Sequence, residues 1–465
     1  MSTRTTQHLR ISAPASLSRS IGLVPLASVL LLLEACAGHA ATTRDARAAL
    51  DQGSPQAAVE SLNEILGVEN TKDLPTELDP DDYLYVLDRS LVLQWLDDYE
   101  LSSRDLEVAD KGIEILDFSG STLDDVGKFI FSDDSGPYQA PAFEKLMINT
   151  MNMMNYLGRS DLSGARVEAR RLSVMQKFIA EHEDQGKSMS APGSYLAGFI
   201  FEKSHEPGEA LRYYNEALAI SEFSSLIDPI CRLSKQDSYR SPHINSILEQ
   251  CSEGSETAAD GQEAPGELLV IVNYGRVPAK YAKRIPIGLA LTFAAMHMSP
   301  ESRSKANYLA AQGLVTWINF PALGKPRGTY DTPTFSIDGS YIPLEGILAV
   351  DEAARSEWKA VQGKVIASAI TRMITRVVAG ETARRAAGGG MVGALLSLGT
   401  QATMTAVDTP DTRSWSTLPA RIAFGRVTLP AGSHTVVLSA RGGTKKQVLQ
   451  LPAGGWGVVI LTVLR

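Results

Sequence analysis

Ser302-Arg-Ser-Lys305 sets a hydroxyl three residues ahead of an amine, the S-x-x-K spacing of serine acyl-enzymes. The S-D-N and K-T-G elements that complete such a site are missing, so the tetrapeptide alone supports no acyl transfer. Gly388-Gly-Gly-Met-Val-Gly393 matches G-x-G-x-x-G, which holds a pyrophosphate only between a strand and a helix. Here it follows a long helical stretch and reads as a turn that lets the next helix, Met391 to Val407, pack closely. His39, His182, His205, His243, His297 and His434 are dispersed, with no H-E-x-x-H, G-x-S-x-G or C-x-x-C beside them. The densest polar group is Asp408, Asp411, Arg413 and Trp415. Arg413 and Trp415 are a candidate partner surface, stacking on and hydrogen-bonding to a sugar or peptide. The competing reading is an Asp–Arg pair and a buried Trp that pin a helix to a β-unit, since Trp is usually highly buried. No catalytic, cofactor-binding or metal-ligating set is expected.

Cysteine chemistry is more informative. Leu30-Leu31-Leu32-Leu33-Glu34-Ala35-Cys36 ends a leader in which Arg4, Arg10 and Arg19 precede the apolar run Ile21 to Leu33. That run is too short to span a bilayer, and Leu-x-Ala-Cys at its end reads as a lipoprotein processing box. Cleavage before Cys36 and acylation of its thiol and amine would anchor the mature chain, at roughly 0.8 kcal/mol per buried CH₂. Glu34 departs from the usual box. The alternative is an ordinary secretory signal with Ala35-Cys36-Ala37 or Gly38-His39-Ala40 as the cleavage site. Ala37 after the Cys, in place of Asp, points to the outer membrane. Cys231 and Cys251 are either bridged in an oxidising periplasm or two buried free thiols.

The elements that would position such residues fall into two halves of opposite charge. From Cys36 to Pro265 there are 19 Lys+Arg against 41 Asp+Glu, and from Gly266 to Arg465 there are 22 against 11. Either the acidic half docks on the basic half, or the basic half faces an anionic envelope polymer. Export argues against nucleic acid as a partner.

Thr43 to Phe223 reads as helix pairs. Gly198 with Phe201, then Ala210 with Tyr214 and Ala217, resembles a tetratricopeptide repeat at its small and aromatic positions. Ala57, Ser102 and Ala165 mark weaker copies, which with Ala210 stand at irregular intervals. The Met-rich run Met147 to Met154 reads as core. Glu267 to Tyr274 is a strand buried on both faces, and Lys280 to Leu289 a second strand. Asp351 to Ala387 is a helix. Ile422–Leu429, Thr435–Ala440, Lys446–Leu451 and Trp456–Leu464 are strands separated by glycine turns. The expected organisation is a signal peptide (1–35), tether (36–44), helical-repeat domain (45–225), acidic connector (226–266) and basic α/β domain (267–465). The fold class is α+β: tetratricopeptide-like repeats, then a mixed domain with a long helix and a small antiparallel sheet or sandwich.

Three further motifs complete a resemblance: Gly275-Arg-Val-Pro-Ala-Lys280 with Arg284-Ile-Pro-Ile287, Asp411-Thr-Arg-Ser-Trp-Ser-Thr-Leu-Pro419, and Leu429-Pro-Ala-Gly-Ser-His434. Behind a processing box and helical repeats, they resemble an uncharacterised family of proteobacterial lipoproteins over most of the mature chain. That family brings no established activity. Its members tend to be encoded beside lipoproteins resembling activators of penicillin-binding proteins, which implies a cell-envelope role. The expectation is therefore a non-enzymatic scaffold, lipid-anchored on the periplasmic face of the outer membrane, with an envelope protein as partner. The alternative is an envelope hydrolase or transferase whose site gathers His297 or His434 with a carboxylate.

Overall fold

The computed structural model describes residues 38–119, 138, 140–182, 190–251, 264–313, 315–325, 327, 330–386 and 409–465. Cys36, the Gly388–Gly393 motif with the helix expected after it, and Asp408 lie outside the described residues. The chain is mixed α+β, with fourteen helices and small sheets among those residues.

The N-terminal layer holds α1 (His39–Thr42), α2 (Arg44–Asp51), α3 (Pro55–Ile65), α4 (Asp82–Trp95) and α5 (Tyr99–Ser119). It continues through α6 (Ala142–Gly158), α7 (Leu162–His182), α8 (Ser190–Lys203) and α9 (Pro207–Leu218). Four helix–helix turns share one geometry. Gly53, Asp97, Ser160 and His205 all take positive φ just after a helix end. At the last of them His205 N–H donates to Glu202 O (3.1 Å) and Glu206 N–H to Phe201 O (2.9 Å), and the other three turns repeat this pair. This Schellman closure satisfies carbonyls that a helix end leaves open. Five residues beyond each turn stand Ala58, Ser102, Ala165 and Ala210, all with 0 % exposure. The equivalent of Ala210 in the first unit is thus Ala58 and not Ala57, which is exposed.

Tyrosines lock neighbouring helices. A Cβ added to Gly112, Gly158, Gly164 or Gly198 would come within 3.0 Å of the ring of Tyr83, Tyr99, Tyr156 or Tyr214, respectively. Only glycine admits those rings, so each pair packs backbone to aromatic face. The Met-rich run lies in α6, where Met147, Met151, Met153 and Met154 are all buried, as core.

Two sheets lie beneath the helices. β1 (Gly266–Tyr274) pairs in parallel with β10 (Trp456–Val463) and antiparallel with β7 (Arg421–Leu429), which pairs with β6 (Glu345–Ala349). A second sheet runs β5 (Ser340–Ile342), β4 (Thr334–Ile337), β8 (Gly432–Ala440) and β9 (Gly443–Leu451). Leu269 and Ile271 of β1 join the helical core, while Leu268, Val270 and Val272 join the core between the sheets. The alternation puts one strand in two cores, as its unbroken apolar run requires. Tyr195 of α8 stacks on Phe424 of β7 with centroids 4.4 Å apart, so the inner face of the helical layer is filled by the chain's own sheet.

A satellite with its own core forms from the ribbon β2 (Lys280–Pro286) and β3 (Trp317–Leu323), with α12 (Ile287–Ala294) and α13 (Pro300–Ala311). These pack on the second half of α14 (Val350–Ala386) through Ile366, Ile370, Met373 and Val377. The second strand thus stops at Pro286, and Ile287 begins a helix. The expected connector also differs: α10 (Ile227–Leu233) and α11 (Pro242–Leu248) occupy it, and Cys231 and Cys251 are bridged with Cα atoms 5.9 Å apart. No helix among the described residues is long and apolar enough to cross a membrane.

Candidate functional site: a polar seam closed by Trp415

The segment 409–420 leads into β7 and threads across α1, α4 and α6. Its anchor is Trp415, fully buried, whose indole Nε1–H donates to Leu87 O (2.9 Å) and whose backbone N–H donates to Glu144 Oε1 (3.1 Å). Asp88 of α4 lies beside it and accepts from Thr417 N and Thr417 Oγ1 (both 3.0 Å) and from Ser416 Oγ (3.3 Å). His39 Nε2 stands 3.3 Å from Asp88 Oδ2, near enough to pair electrostatically though not aligned to donate, and its ring stacks on Tyr85. Arg413 closes the outer end with paired bonds to Asp411 (both 2.9 Å) and one to Asp81 of 2.6 Å.

This corrects the expected partner surface. Arg413 and Trp415 are 4 % and 0 % exposed, so neither can reach a sugar or peptide. They pin the segment, as the competing structural reading expects, although to α4 and α6 and not only to the β-unit.

His39, Asp88 and Ser416 together suggest nucleophilic catalysis, but the geometry is inverted. The hydroxyl donates to the carboxylate, so no imidazole takes its proton. All three residues are more than nine-tenths buried. What the arrangement does is hold together segments more than 300 residues apart.

The other expected candidates are separated. Ser302 donates its N–H to Ser299 Oγ (3.1 Å) at the start of α13, where Ser299 is the N-cap. Ser302-Lys305 is therefore the first turn of a surface helix. His434 does meet a carboxylate: its Nδ1 is 2.7 Å from Asp338 Oδ2, and its Nε2 is 2.9 Å from Pro430 O. Both ring nitrogens are thereby engaged at a turn, and the Asp338 bond raises the imidazole pKa above its usual value. His297 lies against Gly363 of α14, with no carboxylate pairing to it among the described residues. No group of three or more His, Cys, Asp or Glu that could hold a metal occurs among those residues.

Part of the charge complementarity between the halves is internal. Arg426 of β7 is 2 % exposed at its side chain and pairs with Glu202 (2.7 Å) and with Glu267. Arg276 and Arg327 pair with Asp51, and Lys445 with Asp97 (2.7 Å). Burial alone would raise Glu202 and Glu267, but the Arg426 guanidinium and its neighbours hold both below the usual carboxylate range.

Other carboxylates move the opposite way. Burial pushes Glu144 up to about 7, Glu168 of α7 to about 7 and Asp110 of α5 to about 6. Their ionised forms are disfavoured in the fold, so between about pH 4.3 and 7 the native state binds more protons than the unfolded one. Stability therefore falls as pH rises through that window. Glu202 and Glu267 give the reverse contribution, lost as pH falls below about 4.3. The expected urea midpoint is highest at about pH 4.3 and declines on both sides. A midpoint that climbs steadily from about pH 5 to about pH 7.5 would show that Glu144, Glu168 and Asp110 are ionised at little cost.

Compared with known protein families and with curated proteins, the chain matches no family model and no curated sequence.

Proposed function

We propose that the chain is exported, acylated at Cys36 and held on the periplasmic face of the outer membrane, where it acts as a non-enzymatic scaffold in envelope assembly. The observation that carries this reading is the processing box Leu33-Glu34-Ala35-Cys36 at the end of the apolar run Ile21 to Leu33, behind Arg4, Arg10 and Arg19. An acyl group on Cys36 would tether the mature chain at its first residue. His39 supports the same processing point: cleavage after Ala40 would strip a residue buried against Asp88.

The helical layer reads as tetratricopeptide-like from its four repeated turns, the small residue five beyond each, and its Gly–Tyr contacts. The chain's own sheet fills its inner face, so the partner is assigned to the outer one. On α7, Val167 and Val174 stand one above the other at i, i+7, and Val174 is 69 % exposed. The acidic balance of this half suits a partner with a basic rim.

Labelling with a fatty-acid analogue tests the anchor. The wild type takes up label and stays with the outer membrane through an alkaline wash, whereas Cys36→Ala takes up none and is washed off. An unlabelled wild type, or a Cys36→Ala variant that resists the wash, refutes it. Affinity purification tests the surface: the paired substitutions Val167→Asp and Val174→Asp release an envelope protein that the wild type retains.

A further inference from the structure

The satellite carries a feature the scaffold reading leaves unused. α12 buries Ile287, Ala290 and Ala294 and turns the opposite stripe outward: Leu289, Phe293 and, in the following 3₁₀ turn, Met296. These are at i, i+4 and i+7, one face of a helix, and Met296 is 94 % exposed. Isolated exposed apolar residues need no explanation, but a three-residue stripe along one helix face does.

The charged residues of the satellite's ribbon and two short helices are nearly all of one sign. Residues 280–325 contain Lys280, Lys283, Arg284, Arg303, Lys305 and Lys325 against the single acid Glu301. On the outer face of the ribbon, half-exposed Trp317 pairs with Pro286, and the Arg284 guanidinium lies 5.6 Å over the indole. Apolar side chains, an amphipathic aromatic ring and a surround of Lys and Arg are what the headgroup region of an anionic leaflet accommodates. A protein partner of opposite charge would take the cations but offers no reason for a half-exposed Trp–Arg pair on the ribbon together with bare Leu, Phe and Met on the helix that follows it.

The root of the satellite is held to the folded body, since Lys280 N–H donates to Ser414 Oγ (3.4 Å).

We infer that the stripe Leu289, Phe293 and Met296, with the cations of the ribbon, is a second membrane contact that binds an anionic lipid surface. This rests on the reading that the chain works at a membrane, but its test uses no acyl group. Full-length Cys36→Ala protein is floated with vesicles of phosphatidylglycerol and phosphatidylethanolamine, and with vesicles of phosphatidylcholine alone. Binding to the anionic vesicles is expected to be at least about tenfold the stronger. Combining Leu289→Ser, Phe293→Ser and Met296→Ser should lower it about tenfold or more, with an unchanged thermal midpoint. Pairing Lys283→Glu with Arg284→Glu should abolish the preference for anionic lipid. Failure of the Cys36→Ala protein to float on anionic vesicles overturns the inference, while labelling of Cys36 in the wild type still reports separately on the anchor. A triple variant that floats as well as its parent also overturns it. So does one that instead loses thermal stability, because the stripe would then be packed within the fold and not free to meet lipid.

Discussion

Replacing Arg426 with Ala lowers the unfolding free energy by about 3–5 kcal/mol, the cost of breaking a buried ion pair from one side. Arg426 donates through Nη2–H to Glu202 Oε2 (2.7 Å) and through Nη1–H to the Tyr214 hydroxyl oxygen (2.9 Å), while its Nε–H serves Glu267. Its guanidinium also lies 5.2 Å over the Phe199 ring. Without it two carboxylates remain in one enclosed site, with Lys203 (3.0 Å) and Arg232 (2.5 Å) still on Glu202. Those two cations approach from the more open side, and the Arg232 side chain is half exposed. The remaining carboxylates then behave as like charges, so at least one keeps a proton above its usual pKa. The variant should lose stability as pH rises from about 4.3 to 7, the opposite of the contribution this cluster makes in the wild type. Replacing Arg426, Glu202 and Glu267 together by apolar residues of similar volume should recover much of the loss. Urea unfolding followed by circular dichroism measures each of these effects. A loss below about 1 kcal/mol for Arg426→Ala would mean that Lys203 and Arg232 neutralise the site unaided.

That cluster also shows what the sequence can and cannot disclose. Glu267 to Tyr274 and the four C-terminal strands are legible because strand periodicity is local, and the structure places strands at all five. The long helix is legible for the same reason at the other period, within one residue of Val350–Ala386. The irregular intervals between helix pairs resolve once the turn residues are compared, because loops vary in length while the turn and the small residue after it do not. By contrast β3 to β6 lie in a stretch rich in Pro and Gly whose strands are three to seven residues long. β4 and β5 form a hairpin, but β3, β4 and β6 pair with β2, β8 and β7, far away in the chain. Pattern within a window carries no trace of such pairing. Ile287, Leu289 and Leu291 alternate as a strand would, which is why the sequence carries the second strand past Pro286; the buried stripe Ile287, Ala290 and Ala294 shows the helical period instead.

The polar seam is legible in part. Asp411, Arg413 and Trp415 form a local cluster, and of the two roles open to them their burial supports the structural one. Asp88 and Glu144 are not among the expected residues, although the sequence holds a signal for the first. Asp88-Arg89 interrupts the apolar run of α4, and both side chains are buried, with Arg89 held by Asp105 at 2.7 Å. A charged pair inside an apolar helix face implies buried partners. Which partners those are depends on the fold: Asp88 and Thr417 are 329 residues apart.

Trp415→Ala should be the most damaging apolar substitution in the chain, by about 3–5 kcal/mol for a buried Trp. The loss has two parts that separate experimentally. The first is the cavity left among Leu87, Leu418 and their neighbours in the main core. The second is the indole bond to Leu87 O, a carbonyl inside α4 that already has a helical partner and is therefore only partly orphaned. Trp415→Phe keeps most of the ring but removes the donor, so it should cost about 1–3 kcal/mol. A Phe variant as damaged as the Ala variant would show that the hydrogen bond, and not the filled volume, makes the larger contribution. The backbone bond from residue 415 to Glu144 survives either change in principle. It holds only while the segment stays seated, and losing it would let water reach a carboxyl held near pKa 7 by burial. Trp415→Ala should therefore flatten the decline in stability between about pH 4.3 and 7, because Glu144 then titrates closer to an exposed glutamate. Trp415→Phe should leave that slope intact. The same segment carries Thr412 against Gly38 and Ser414 against Lys280, so unseating it releases both the chain end that leads to Cys36 and the root of the satellite. A loss of stability without a change in pH slope would confine Trp415 to packing and detach it from the seam.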